Sequence, residues 1–438
     1  MTFSQPRRRF LGAFGAALAA PALLAQEKTD SEPTLVDSLP SLQCPTENGI
    51  TVVWAVGQPA AGLVQFGTDK NNLDQTAYGD VFGLNAYHHR FLQIRIDGLM
   101  PNTRYFYRTA TRSFRFVNAY KFEQGEPEYS ETYSFETSGI HKAAATFSVI
   151  NDTHNNPPLL KAVGERLRTI NADYTVWNGD LVDHYSNEQV AIDTILRPGG
   201  SAFATEKPIL FVPGNHDYRG EWARNLPLCL SPWEQQTEII PRQIAQFARP
   251  LIAPTPYINP SVGRNFVVRT GPLALIGLDT GEDKPDNRSE WGGLARFEPY
   301  RIKQRDWLEK ALQNEAVASA PFVIAFCHIP LFDASSDANG GDLPTGYASY
   351  QRPAGELWGP LLTKYGVQAV IVAHMHRVRY DAPTADRTWA QIVGGGSDLA
   401  QDTAVIHGKA EGDTLEIVAD SVGKDEEWGR WTFAPRRS

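Results

Sequence analysis

Two rhythms of apolar and polar residues divide the chain. From about Leu42 to Thr137 the apolar positions fall in short β-branched or alternating runs with no helical spacing. Residues 49–56 form a near-continuous run containing Trp54, whereas 63–67 and 90–96 alternate as half-buried strands do. A turn at 98–103 then leads into the aromatic run 104–108. About six or seven such strands predict an all-β sandwich over 40–138, with Trp54 filling its core.

From about Thr146 compact apolar runs take over, at 147–150, 174–177, 209–212, 322–326 and 369–372, each with the composition of a strand buried on both faces. Between the first two, Leu159, Leu160, Val163, Leu167 and Ile170 recur at helical spacing, as do Ile302, Trp307, Leu308 and Leu312 later. Strands alternating with helices predict a layered α/β domain over 145–400, with 401–438 as an extension completing it. In such a domain the ligand site lies outside the carboxyl ends of the strands.

All five runs end in residues able to bind metal. The first enters Asn151-Asp152-Thr153-His154, and the second Asn178-Gly179-Asp180-Leu181-Val182-Asp183. The third enters Gly214-Asn215-His216-Asp217, the fourth Cys327-His328, and the fifth Ala373-His374-Met375-His376. One such piece is a common accident; five in succession, each after a buried strand, predict a metal site. Carboxylates supply the charge that holds two divalent cations about 3.5–4 Å apart, and imidazoles suit zinc, manganese or iron.

Composition narrows the function. A chain of 438 residues exceeds one ordinary core, and ten tryptophans argue against disorder. A formal charge of −9 excludes nucleic acid as a bulk partner, so an anionic substrate needs a local positive site. Arg7, Arg8 and Arg9 precede Phe10, Leu11 and a mildly apolar run to about Ala25, which is too short for a spanning helix. This resembles a twin-arginine signal peptide over residues 1–25, predicting a periplasmic or extracellular protein with no membrane span once the signal is removed. Three cysteines permit at most one internal disulfide, and a Cys44–Cys229 bridge is open.

Taken in order, Asp-x-His, Gly-Asp-x-x-Asp, Gly-Asn-His-Asp, a lone His and Ala-His-x-His resemble the calcineurin-like metallophosphoesterases over about 147–396. The resemblance implies one ion held by Asp152, His154, Asp180 and His376. A second would share Asp180 and take Asn215, His328 and His374. It implies in-line attack on a phosphate ester by a hydroxide bridging the ions. His216 would serve as proton donor or phosphate stabiliser over the leaving group, and Asp183 as the acid holding that histidine. The sandwich ahead of the catalytic domain resembles the layout of purple acid phosphatases. Residues 98–108 resemble the corner of a fibronectin type III domain, where a tyrosine bonds back to the turn backbone. In purple acid phosphatases a tyrosine that binds ferric iron stands at the position of Asp183, and Tyr185 is two residues too late to replace it, so the ferric tyrosinate is not carried over.

The leading expectation is an exported phosphomonoesterase using two divalent or mixed-valence ions of manganese, iron or zinc on a small phosphorylated substrate. A phosphodiesterase acting on a cyclic nucleotide or lipid headgroup would use the same core. A partner-binding surface protein with a structural metal is the third reading, disfavoured because a structural site has no use for His216. Arg219 and His184 are the weaker candidates for phosphate contact.

Overall fold

The compact apolar runs become central strands because both of their faces can be covered, and the fold is built from that coverage. The computed structural model describes residues 34–80, 82–199, 203–233, 262–333 and 350–436; the expected signal peptide lies outside them. Two sheets pack face to face in the catalytic half. The first runs through Ala144–Ile150, Tyr174–Asn178 and Ile209–Val212 in parallel, in register Val149 to Val176 and Val176 to Leu210. The second orders Phe266–Thr270, Leu273–Gly277, Phe322–Phe326, Ala369–Val372, Ala390–Val393 and Arg379–Asp381. Phe147 meets Phe326 edge-on across the interface, with ring centroids 5.6 Å apart. Gly408, opposite Phe147 on the neighbouring strand, leaves room for that ring, since a Cβ there would strike it.

Helices cover the outer faces. Pro157–Thr169 starts where Asn156 accepts a hydrogen bond from Leu159 N–H, with prolines in its first turn, and buries Leu159, Leu160, Val163 and Leu167. Phe297–Gln313 covers the second sheet with Trp307, Leu308 and Leu312, as its apolar spacing predicts, but Ile302 falls outside the buried face. Ile302 is exposed, and Arg301 and Gln304 turn inward beside Trp307, Leu308 and Leu312. The physical reason is polar: Arg301 donates to the carbonyls of Thr280 and Glu282, and Gln304 to that of Asp279.

The amino-terminal region is the expected β-sandwich. Trp54 is wholly buried in its core and donates from its indole nitrogen to Thr111 at 3.0 Å. The corner is also present, with Met100 N–H donating to the Tyr105 hydroxyl at 3.0 Å. One of its two sheets, however, is not separate. Ser41–Thr46 runs parallel to Ile209–Val212, pairing Gln43 with Ile209, so Ser41–Thr46, Gly49–Ala55 and Phe91–Asp97 extend the first catalytic sheet. At its other edge Ala404–Glu411, Thr414–Ser421 and Glu427–Phe433 continue it antiparallel from Ala144–Ile150. The open Cys44–Cys229 bridge is not formed: one thiol donates to Ser231 O and the other to Leu226 O.

Candidate metal centre

The parallel strands of both sheets finish at one edge, and their exit loops turn sharply to bring the polar residues together. Asp152, His154, Asp180, His374 and His376 all have positive φ, between 44° and 69°, a region that non-glycine residues rarely occupy. Concentration of such backbone in five candidate ligands marks a site whose side-chain directions outrank local comfort.

Asp152 is fully buried. Its Oδ2 accepts from the Asn151 amide at 2.7 Å and from His374 N–H at 3.1 Å, leaving Oδ1 aimed into the cluster. There it meets His376 Nε2 at 3.2 Å and His154 Nε2 at 3.8 Å. Asp180 Oδ1 accepts from His216 N–H at 2.8 Å, and its Oδ2 lies 3.2 Å from His328 Nε2 and 3.8 Å from His154 Nε2. Asp180 therefore faces both halves of the cluster. On one side stand Asp152, His154 and His376, and on the other Asp180, His328 and His374, with ligand atoms in each group within 4.8 Å of one another. Asn215 joins the second group through Oδ1, 3.1 Å from His374 Nδ1.

The ring orientations are fixed from behind. His328 Nδ1 donates to Asn178 O at 2.8 Å and His154 Nδ1 to Asp183 Oδ1 at 2.9 Å, so both rings turn Nε2 inward. Asp152 Oδ1, His154 Nε2 and His328 Nε2 are buried without a hydrogen-bond partner. Unsatisfied buried acceptors are costly, and three converging on one space fit a bound cation. The field agrees. Burial pushes His328 down, yet Asp180 and Asp152 outweigh it and raise the imidazole to about 10, while its charge and that of its neighbours hold Asp152 well below the carboxylate range despite burial. Carboxylate, imidazole and amide donors together suit borderline transition metals.

One sequence expectation needs correction. The Asp183 carboxylate does not hold His216; it holds His154, and His216 Nδ1 donates instead to the Asp183 backbone carbonyl at 2.9 Å. The loop turns its carbonyl toward one ring and its side chain toward the other. Arg219 does reach the cluster, but as part of an ion pair: it forks onto Glu282 at 2.9 and 3.3 Å and approaches Asp283 at 3.5 Å. His184 is exposed on the same loop and, among the described residues, belongs to no group of converging ligand atoms. Tyr185 is fully buried and donates to Asp217 at 3.2 Å.

Sequence reasoning missed three supports. Asp217 accepts from the backbone N–H groups of Asp180, Leu181 and Gly214, tying two motif loops together. Gly394, Gly395 and Gly396 pass so close to Asn151, Asp402 and His376 that a Cβ at each would collide, and the glycine triplet was the available signal. Finally, a sixth strand, Leu273–Gly277, feeds the loop containing Glu282 and Asp283, which the apolar run before Asp279 could have shown.

Comparison with known proteins agrees with this geometry. The family model described as calcineurin-like phosphoesterase matches residues 145–378, just over half of the chain, and that described as purple acid phosphatase, N-terminal domain, matches 40–137. Among solved structures, purple acid phosphatase PPD1 from yellow lupin (Lupinus luteus) seeds is similar with a TM-score of 0.64 at 15% identity, over 92% of this chain and 74% of that one. PhoD is similar with a TM-score of 0.56 at 13% identity, over 92% and 90%. At those identities the likeness is one of fold. No curated protein matches the chain significantly in sequence.

Proposed function

We propose that this chain, which belongs to the calcineurin-like phosphoesterase family, is an exported phosphatase that hydrolyses small phosphate monoesters at its two-sided carboxylate–imidazole cluster. The observation carrying the reading is the position of Asp180, whose carboxylate faces ligand nitrogens on both sides. Two transition-metal ions held by Asp152, His154 and His376 on one side and Asn215, His328 and His374 on the other, with Asp180 shared, would supply Lewis-acid charge and a hydroxide near neutral pH.

The protein's own groups do the rest. Asn151 and the His374 backbone keep one oxygen of Asp152 occupied so that the other serves the cluster. Asp183 and the Asn178 carbonyl take the Nδ1 protons of His154 and His328, so each ring presents Nε2 to the cluster. His216 Nε2 lies 4.0 Å from Asp180 Oδ2, so this ring edge borders the reaction space; with Nδ1–H kept on the Asp183 carbonyl, Nε2 is the atom that would take up a second proton and pass it to a leaving oxygen. Arg219 and Lys284, each partly exposed and paired with Glu282 and Asp283, offer N–H donors that would suit the phosphoryl oxygens of a monoester. Export rests on the arginine-led first 25 residues; among the described residues no helix is long and apolar enough to cross a membrane.

The test is a panel of p-nitrophenyl phosphate, bis-p-nitrophenyl phosphate and nucleotides, with manganese, zinc or iron added. Faster monoester turnover is the expected result. Faster diester turnover would make the protein a phosphodiesterase, and inactivity on the whole panel with every metal would defeat the proposal.

A further inference from the structure

The loop after Leu273–Gly277 contains two acidic residues that the metal cluster does not use. Glu282 is wholly buried, which is rare for a carboxylate unless it is paired. Its backbone is held rigidly, because the Glu282 carbonyl accepts from Arg301 and from Gln351, both at 2.8 Å. Those donors are themselves buried, and Gln304 fixes the start of the same loop at Asp279. The Glu282 side chain takes the Arg219 guanidinium through two nitrogens, the bidentate geometry that fixes a guanidinium plane as well as its position.

The remaining Arg219 nitrogen then has one place to go. Nη1 lies 2.9 Å from His216 Nε2 and 3.3 Å from His216 Nδ1. A nitrogen that near to both ring nitrogens lies over the ring face and not in its plane, so the guanidinium stacks on the imidazole, while Nδ1 donates to the Asp183 carbonyl and Nε2 stays directed at the reaction space. The ring is thus held by Nδ1 at one edge and by the guanidinium on one face. The backbone agrees: Arg219 N–H donates to His216 O at 3.0 Å, and Tyr185 N–H donates to Arg219 O at 2.9 Å.

We propose that Glu282 is a positioning residue: it orients Arg219, which in turn sets the direction of the His216 ring over the reaction space. The proposal rests on the reading of His216 as the group that meets the leaving oxygen. Neither Glu282 nor Arg219 needs to touch a metal ion for it. Glu282 supplies the rigid origin, and Arg219 transmits it over the length of one side chain.

Two measurements separate the proposal from that reading. The first needs neither metal nor turnover: histidine-ring 15N spectra of the metal-free protein, with His216 assigned from His216→Ala. In the parent protein His216 is expected as the Nδ1-protonated ring with a single orientation. In Glu282→Gln, which keeps the shape but removes the charge and one acceptor, its signals should move and broaden while those of His328 stay in place. The second compares an alkyl phosphate with p-nitrophenyl phosphate in the metal-loaded enzyme. Glu282→Gln should lower kcat on the alkyl ester by about tenfold or more and much less on the activated ester, because only a poor leaving group depends on a well-placed proton. Arg219→Lys, which keeps the charge but loses the fork, should reproduce the pattern and serves if Glu282→Gln fails to fold. Unchanged His216 signals in a folded variant would overturn the proposal, as would equal losses on the two esters while His216→Ala discriminates between them. If His216→Ala itself shows no leaving-group dependence, the role of His216 falls, and the ring spectra alone decide whether Glu282 positions it.

Discussion

Asp183 accepts a hydrogen bond from His154 at 2.9 Å, and so its carboxylate stands behind a candidate metal ligand. The side chain is otherwise largely open to solvent, which leaves the contact with His154 as its structural role. Removing it should therefore be felt by a metal ion before it is felt by the leaving group. Asp183→Ala should weaken binding on the His154 side by about 10–100-fold, the usual cost of losing the partner of a ligating histidine. Metal titration checks this, and the accompanying loss of turnover should be the same on alkyl and p-nitrophenyl phosphates. Full metal affinity with a loss confined to alkyl esters would return Asp183 to service as the partner of His216.

Asp180 faces both groups of ligand atoms, whereas His376 faces only Asp152 and its neighbours. Elemental analysis of reconstituted protein should find close to two ions in the parent, about one in His376→Ala, and fewer than one in Asp180→Ala. Activity in both variants should fall at least about a hundredfold, because each loses several kcal/mol of charge stabilisation. Undiminished metal content in Asp180→Ala would show that its carboxylate is not shared.

Iron-loaded protein should lack an intense visible band. Tyr185 is the nearest tyrosine in sequence to Asp183, but it is buried and turned to Asp217. Burial first, and Asp217 after it, raise its phenol well above the ordinary value and oppose the phenolate that an iron charge-transfer band requires. Absorption spectroscopy decides, and a strong band abolished by Tyr185→Phe would refute the assignment.

The corner of the sandwich offers a test of stability apart from chemistry. Tyr105→Phe removes the acceptor of Met100 N–H and should cost about 1 kcal/mol. The denaturant midpoint should fall with an unchanged slope, and turnover of the folded enzyme should be unaffected. A change in slope would mean that the corner also shapes the unfolded ensemble.

The parts of this molecule that could be read from the sequence are those in which local pattern and chemistry coincide. Asp152, Asp180, Asn215, His328 and His374 each follow a short apolar run, so strand and ligand announce one another. Trp54 was legible for the same reason, as an aromatic residue inside strand-like text, whereas the corner was legible only as one tyrosine of the run and the structure chooses Tyr105 over Tyr107. Other features depend on encounters that spacing does not encode. Asp183 is close enough in sequence to serve either imidazole, and only the turn of its loop chooses His154 for the side chain and His216 for the carbonyl. Arg301 is buried and Ile302 exposed because carbonyls of a distant loop need a donor, which reverses what hydrophobicity alone predicts. Glu282 escaped notice because its loop contains no histidine and its partner, Arg219, looks like an ordinary surface residue.

The pairing of Gln43 with Ile209 carries the ladder of the catalytic sheet into the sandwich, and its flanks are stitched as well. Gln43 donates to Cys229 O and accepts from Ser231 N–H, and the Tyr107 hydroxyl donates to Thr205 O at 2.7 Å. Hinged enzymes close by letting two bodies rotate about a few free backbone torsions. Here rotation would tear a ladder and three hydrogen bonds from two side chains at once. The amino-terminal sandwich is therefore a fixed buttress to the catalytic sheet and not a swinging jaw. The same continuity sets a limit on protein engineering: a sandwich excised at the boundary would leave raw strand edges on both pieces, so the two halves should be transplanted together or not at all.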